Sequence, residues 1–160
     1  MDKRVDSKLE LTNCTIGRGS WRNFTGEKGR FNNEGEYGFT VFLPEHLYNE
    51  MGEEGWNVKH KEQFAGDERE FQLSVAFTFG KYPPHITMIS EDGSTAILNE
   101  DNISLLQTAD FERCDIVIRP YNWTNPKGEH GVKAYLDSMS VWIRPPRRSY
   151  VASFGEDDEE

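Results

Sequence analysis

The chain has 160 residues, a formal net charge of -10, ten Phe, six Tyr, four Trp and only two Cys. That length fits one domain with its own core, and the acidity argues against a protein that coats nucleic acid through net charge, although a local basic groove can still hold phosphate. No apolar run approaches the ~20 residues of a membrane span and "MDKRVDSKLE" lacks the apolar core of a secretion signal, so the expected setting is a reducing cytoplasm, with no membrane partner and with Cys14 and Cys114 both free.

In chain order, "LELTNCTI" reads as a first strand. A Gly-rich segment, "GRGSWRNFTGEKGRFNNEGEYG", follows, in which Trp21, Phe24 and Phe31 alternate with Arg18, Arg22, Lys28 and Arg30; it reads as a flexible basic hairpin carrying rings. "YGFTVFL" and "FQLSVAFTF" alternate with period two and predict half-buried strands. Between them Pro44 suits a first helical position, Leu47 and Met51 lie four apart on one face, and Gly52 or Gly55 can end the helix. Lys59 and Lys61 follow "GWNV".

Further on, "HITMI" is strand-like, "EDGS" at Glu91 to Ser94 reads as a hairpin turn, and a short helical turn is expected in "NEDNISLLQ", where Ile103 and Leu106 share a side. "DIVIRPYNW" predicts a strand whose ladder Pro120 breaks after Arg119, leaving Tyr121 and Trp123 on one side of the extended chain. Asn125, Pro126 and Gly128 make a turn near Lys127 that leads to Lys133, Tyr135 and the strand "VKAYLDSMSVWI". Four Asn-x-Ser/Thr matches, at Asn13, Asn23, Asn102 and Asn122, read as chance or turn chemistry. The expected architecture is all-β: a five-stranded, partly open Greek-key barrel of the OB type with one or two short helices over residues 1–150, and a mobile acidic tail over 151–160.

Glu156, Asp157, Asp158, Glu159 and Glu160 supply half of the net charge, and a run of like charge without apolar partners does not repay the entropy of ordering it. Catalytic signals are weak. His46, His60, His85 and His130 are scattered, two distant Cys make no structural zinc site, and neither a phosphate-binding Gly loop nor a nucleophile elbow occurs. The expectation is a protein that is not an enzyme, with no cofactor and no metal.

Rings set among cations are how unpaired nucleic acid is held, by stacking plus charges that follow the phosphates. The expected nucleic-acid contacts are Trp21, Phe24, Phe31, Tyr121 and Trp123 for bases and Arg18, Arg22, Lys28, Arg30, Lys59, Lys61, Arg119, Lys127 and Lys133 for the backbone. Two roles stay open for the rings: some of Trp21, Phe24 and Phe31 close an end of the barrel, and Tyr121 with Trp123 form either a structural corner or a stacking pair.

The pieces "WRNFTGEKGRFNNEGEYGFTVFL", "GWNVK", "YPPHITMI", "CDIVIRPYNW" and "GVKAYLDSMSVWI", in that order and followed by an acidic end, resemble the OB-fold single-stranded DNA-binding proteins of tailed bacteriophages. The resemblance implies non-sequence-specific coating of single strands in replication or recombination, without chemistry or cofactor. With it, the tail reads as a gate that competes with phosphates for the cationic groove and as a hook for replication or recombination proteins, through Phe154 and Glu156 to Glu160. An open barrel leaves edges that could pair two subunits, with "VKAYLDSMSVWI" or the N-terminal strand as candidates for a homodimer. The competing reading is a non-enzymatic protein-interaction module, either a virion component or a DNA mimic; a magnesium-dependent nuclease is the third.

Overall fold

The computed structural model describes residues 5–17, 20–30, 32–145 and 152. Arg18, Phe31, Phe154, Glu156 to Glu160 and the expected boundary at residue 150 lie outside the described residues. The elements are β1 (Leu9–Cys14), β2 (Arg22–Asn23), β3 (Tyr37–Phe42), α1 (Glu45–Glu54), β4 (Val58–His60), β5 (Phe71–Phe77), β6 (His85–Ile89), β7 (Thr95–Leu98), β8 (Phe111–Thr124) and β9 (His130–Ile143), with 3-10 turns at Glu62–Phe64 and Ile103–Gln107. Among the described residues no helix is long and apolar enough to cross a membrane.

All strands join one sheet in the order β1-β8-β9-β5-β3-β2, with β4 added to β5 and the β6–β7 hairpin added to β9. Every pair is antiparallel except β5–β9 and β6–β9. The Phe42 N–H donates to the Thr15 carbonyl at 3.1 Å, tying the end of β3 to the chain that leaves β1. Backbone contact thus curls the sheet into the expected partly open barrel. Nine strands form among the described residues rather than five: each of the six strand-like pieces of the sequence becomes one, and β2, β4 and β7, of two, three and four residues, come from segments too short to show a period.

β9 is the spine. It pairs with β8 along its length, with β5 at Ala134 and Tyr135, and with β6 from Ser138 to Trp142. Paired on both sides, it offers no edge to a second subunit, which corrects its candidacy as a dimer strand. At the bulge where Val117 faces Ser138 and Ile118 faces Leu136, the inward positions switch from Val132, Ala134 and Leu136 to Met139 and Val141. The extra residue bends the strand and hands it from one neighbour to the other.

Two local expectations need correction. Pro120 does not break β8: it pairs with Ala134, and β1 stops pairing at Ile118, so β8 has a partner strand on only one side there, which is where a proline is tolerated. β3 is buried along both faces rather than one, because the Trp21 ring covers Gly38 and the Phe42 ring packs against Gly17. The helix matches the expected span, with Pro44 one position earlier than first helical and Gly55, at φ 106, as the left-handed stop.

Candidate nucleic-acid interface

The segment between β1 and β3 is organised at its root by inward-facing groups. Phe24 is 0% exposed and packs on Phe39, Phe77 and Phe111 at ring separations of 5.7, 6.1 and 6.2 Å. The expectation that Phe24 stacks bases is therefore corrected: neighbours from three strands supply the apolar surroundings that its own segment lacks. Arg22 also turns inward. Its guanidinium donates to the carbonyls of Leu106, Ala109 and Gly17 and lies 4.5 Å from the Phe111 ring centre, so it closes the barrel's end instead of reaching a phosphate. Gln107 completes the clamp, accepting from the Phe24 N–H at 2.6 Å and donating to the Arg22 carbonyl.

Further along this segment, asparagines replace the expected flexibility with hydrogen bonds. The Asn23 side-chain oxygen accepts from the Thr25 and Gly26 N–H groups, while the Asn32 amide donates to the carbonyls of Glu27, Asn33 and Glu36. That is the turn chemistry expected of Asn23. Lys28 and Arg30 are exposed on the same segment and do not line the cleft described next.

The cleft, of about 750 Å³, lies over the outward face of β5. Gln72, Ser74, Ala76 and Thr78 form its floor, Trp21 stands at one side, Lys59, Lys61, Phe64 and Arg69 at another, and Lys133 and Tyr135 of β9 at a third. Its lining holds four cations and a single carboxylate, Glu36, in a chain of net charge -10. Among the described residues no ion pair engages Lys59, Lys61 or Lys133. Their charge is available to an anionic ligand. Arg69 is tied to Asp67 at 2.9 Å and lies 4.4 Å from the Phe64 ring centre, so its role is to hold that ring as much as to add charge.

Two tryptophans are seated on strand glycines. Trp21, 36% exposed, lies so close to Gly38 that a Cβ there would meet the ring at 2.9 Å. Trp123 lies against Gly131, where a Cβ would meet its ring at 2.8 Å and the Asn57 side chain at 2.6 Å. Since Asn57 lines the cleft, Trp123 stands at its margin. Across the β8–β9 ribbon Tyr121 faces Lys133 and Arg119 faces Tyr135; the Tyr121 and Tyr135 rings meet edge to face at 5.9 Å, and Tyr121 is 55% exposed. Arg119 carries an ion pair to Asp137 at 3.5 Å. Lys127 is exposed at the hairpin tip after β8.

The structure therefore brings Trp21, Lys59, Lys61 and Lys133 into one cleft and sets Arg119, Tyr121 and Trp123 along its β9 side. Tyr135, Phe64 and Arg69 were missed. Tyr135 was legible as an outward position of β9, since Ala134 and Leu136 on either side are buried, whereas Phe64 arrives on a 3-10 turn with no period to mark it. Among the described residues no group of three or more His, Cys, Asp or Glu could hold a metal ion.

Glu70 anchors the wall that carries Phe64 and Arg69. Its carboxylate accepts from the Gly66 N–H at 2.9 Å and meets His60 Nε2 at 2.6 Å, and these two contacts hold its carboxyl below the usual range against the opposing effect of desolvation. A group whose folded pKa is lowered contributes stability above its unfolded value, near ~4.3 for Glu, and loses it as pH falls through the folded value. Exchange of the Gly66 amide, followed by NMR, is expected to lose protection as pH falls below the ordinary carboxylate range. Glu70→Gln should show weaker protection and no such transition; a pH-independent wild type would remove Glu70 as the anchor.

No curated protein matches the chain. Among solved structures, the single-stranded DNA-binding protein from bacteriophage Enc34 is similar at 15% identity and a TM-score of 0.54, covering 96% of this chain and 87% of that one. A C-terminal truncation of the same bacteriophage Enc34 protein gives 14% identity and a TM-score of 0.54, over 89% of this chain and 88% of that one. At such identity the likeness speaks for the fold alone, an open β-barrel of the OB type. The phage ssDNA-binding domain family matches residues 1–147, and the chain belongs to that family.

Proposed function

We propose that this protein coats single-stranded DNA without regard to base sequence, the strand lying in the cleft over β5. As a member of a binding family it is not an enzyme. The observation that carries the reading is the concentration of charge: four cations, one carboxylate and three rings (Trp21, Phe64 and Tyr135) at the open margins of one cleft, in an acidic chain. Trp21 and Tyr135 stack bases, Tyr121 and Trp123 extend the stack, and Lys59, Lys61, Arg69, Lys133 and Arg119 hold phosphates. Lys28, Arg30 and Lys127, on loops at the margins, take phosphates outside the cleft, and Arg18 and Phe31 remain candidates from sequence. Rings need unpaired bases, so duplex DNA competes poorly.

The acidic run Glu156 to Glu160 acts as a competitor for the cationic cleft and, once displaced, with Phe154 as a hook for replication or recombination proteins. A homodimer would form through β1, which among the described residues pairs with β8 alone.

Titration with oligo-dT tests the reading. Tryptophan fluorescence should quench on addition, and affinity should fall with salt at a slope of roughly -3 from the four cations that line the cleft, at about 0.7 each, and more steeply for strands long enough to reach Arg119 and the loop cations. Removing residues 155–160 should tighten binding at low salt, with the difference fading as salt screens it. Absence of quenching at low salt would instead support a protein-interaction module, and magnesium-dependent cleavage a nuclease.

A further inference from the structure

Tyr82 lies outside the cleft and belongs to none of the functions assigned above. It sits on the connection between β5 and β6 and is 64% exposed. Both strands pair in parallel with β9, β5 at Tyr135 and β6 from Ser138, so the connection stands beside β9 where one neighbour gives way to the other. Its first residue, Thr78, lines the cleft. Pro83 and Pro84 follow, and Pro84 is buried. A proline restricts the residue before it to extended backbone and fixes its own φ, so the loop holds Tyr82 outward at a small entropic cost.

Two cations attend the ring: Lys81 Nζ lies 5.5 Å from its centre and Arg119 Cζ 5.6 Å, both within cation–π range. Arg119 is held by Asp137 and faces Tyr135, the cleft's own ring, across the β8–β9 ribbon. Tyr135, Arg119 and Tyr82 thus form a continuous series from the cleft outward, a ring and a guanidinium followed by a second exposed ring. An aromatic or guanidinium plane is a surface on which an unpaired base stacks whatever its identity.

We propose that Tyr82, with Lys81 and Arg119, is a second stacking station that engages nucleotides running out of the cleft along β9. The station rests on the function proposed above and lengthens the site it describes. It makes a distinction by ligand length: a strand filling only the cleft does not reach Tyr82, and a longer one does.

The test compares full-length wild type, Tyr82→Ala and Tyr82→Phe on oligo-dT of about 5 and about 16 nucleotides, which bracket most of the range held by single OB folds. Tyr82→Ala should bind the short strand as wild type does and the long one about tenfold more weakly, the loss of one stacked base. Tyr82→Phe should keep both affinities. Equal binding of wild type and Tyr82→Ala at both lengths overturns the station, as does an equal loss at both lengths, which would place Tyr82 inside the primary site. Failure of wild type to bind either strand would instead sink the proposed function itself. Because the side chain is exposed, an unchanged melting temperature checks that the variant is folded.

Discussion

Phe24→Ala is expected to melt roughly 6–20 °C below the parent protein, the equivalent of about 3–5 kcal/mol for emptying a buried phenylalanine site in a domain of this size. The ring is enclosed by Phe39, Phe77 and Phe111, one each from β3, β5 and β8, so its removal leaves a void at a junction of three strands. Collapse around it is hindered, because the adjoining backbone is pinned by Gln107 and by the inward guanidinium of Arg22. A loss of that size is a large part of the 5–15 kcal/mol that holds a typical domain. Measured below its melting transition, the variant should bind oligo-dT nearly as the parent does. The opposite result, weak binding at an unchanged melting temperature, would return Phe24 to the stacking surface and take Arg22 with it.

The contrast between Phe24 and Trp21 shows where sequence reading succeeds and where it stops. Both rings stand in the same Gly-rich segment within two positions of Arg22, and nothing local separates them. Their fates are decided by residues far away: Phe24 by three aromatic neighbours at least 15 positions off, Trp21 by the absence of a side chain at Gly38. The long strands were legible because alternation is a local property, and so was the hairpin turn at Asp92 and Gly93, where Gly93 has φ 88. The bulge in β9 was also written locally, in the step from "VKAYL" to "MSVWI" across Asp137 and Ser138, but its effect on pairing required the partner strand. Lys59 and Lys61 show the same limit. Each is unremarkable alone, and they acquire meaning only because β4 lies on β5 and sets Lys59 opposite Gln72 on the cleft floor.

Charge is segregated in this molecule rather than balanced. The α1 helix carries Glu45, Glu50, Glu53 and Glu54 and no basic residue in its last turn, and a second depression is bordered by Glu45, Asp67, Glu68 and Glu70. Cations gather instead around the β5 floor. With the strand in the cleft as proposed, an acidic surround would repel the phosphates of a misplaced strand while the cleft attracts them, so the net charge would sharpen where DNA settles instead of preventing its approach.

Trp21→Ala should reduce single-strand affinity by about 1–3 kcal/mol, the cost of one stacked base, and should also lower the melting temperature, because the ring is only 36% exposed and covers Gly38; affinities are therefore compared below both melting transitions. Trp21→Phe should restore most of the loss. Gly38→Ala would not isolate the ring: its methyl would come within 2.9 Å of both the indole and the Val75 carbonyl, so the indole and the β3–β5 pairing must both shift, and the melting temperature should fall together with affinity. The salt dependence separates stacking from charge. Trp21 neutralises no phosphate, so its loss should lower affinity at every salt concentration and leave the slope unchanged, whereas Lys133→Ala should reduce the slope by about 0.7. A slope altered by Trp21→Ala, or an affinity indifferent to it, would mean that the strand does not lie against this ring and that the path across β5 runs elsewhere.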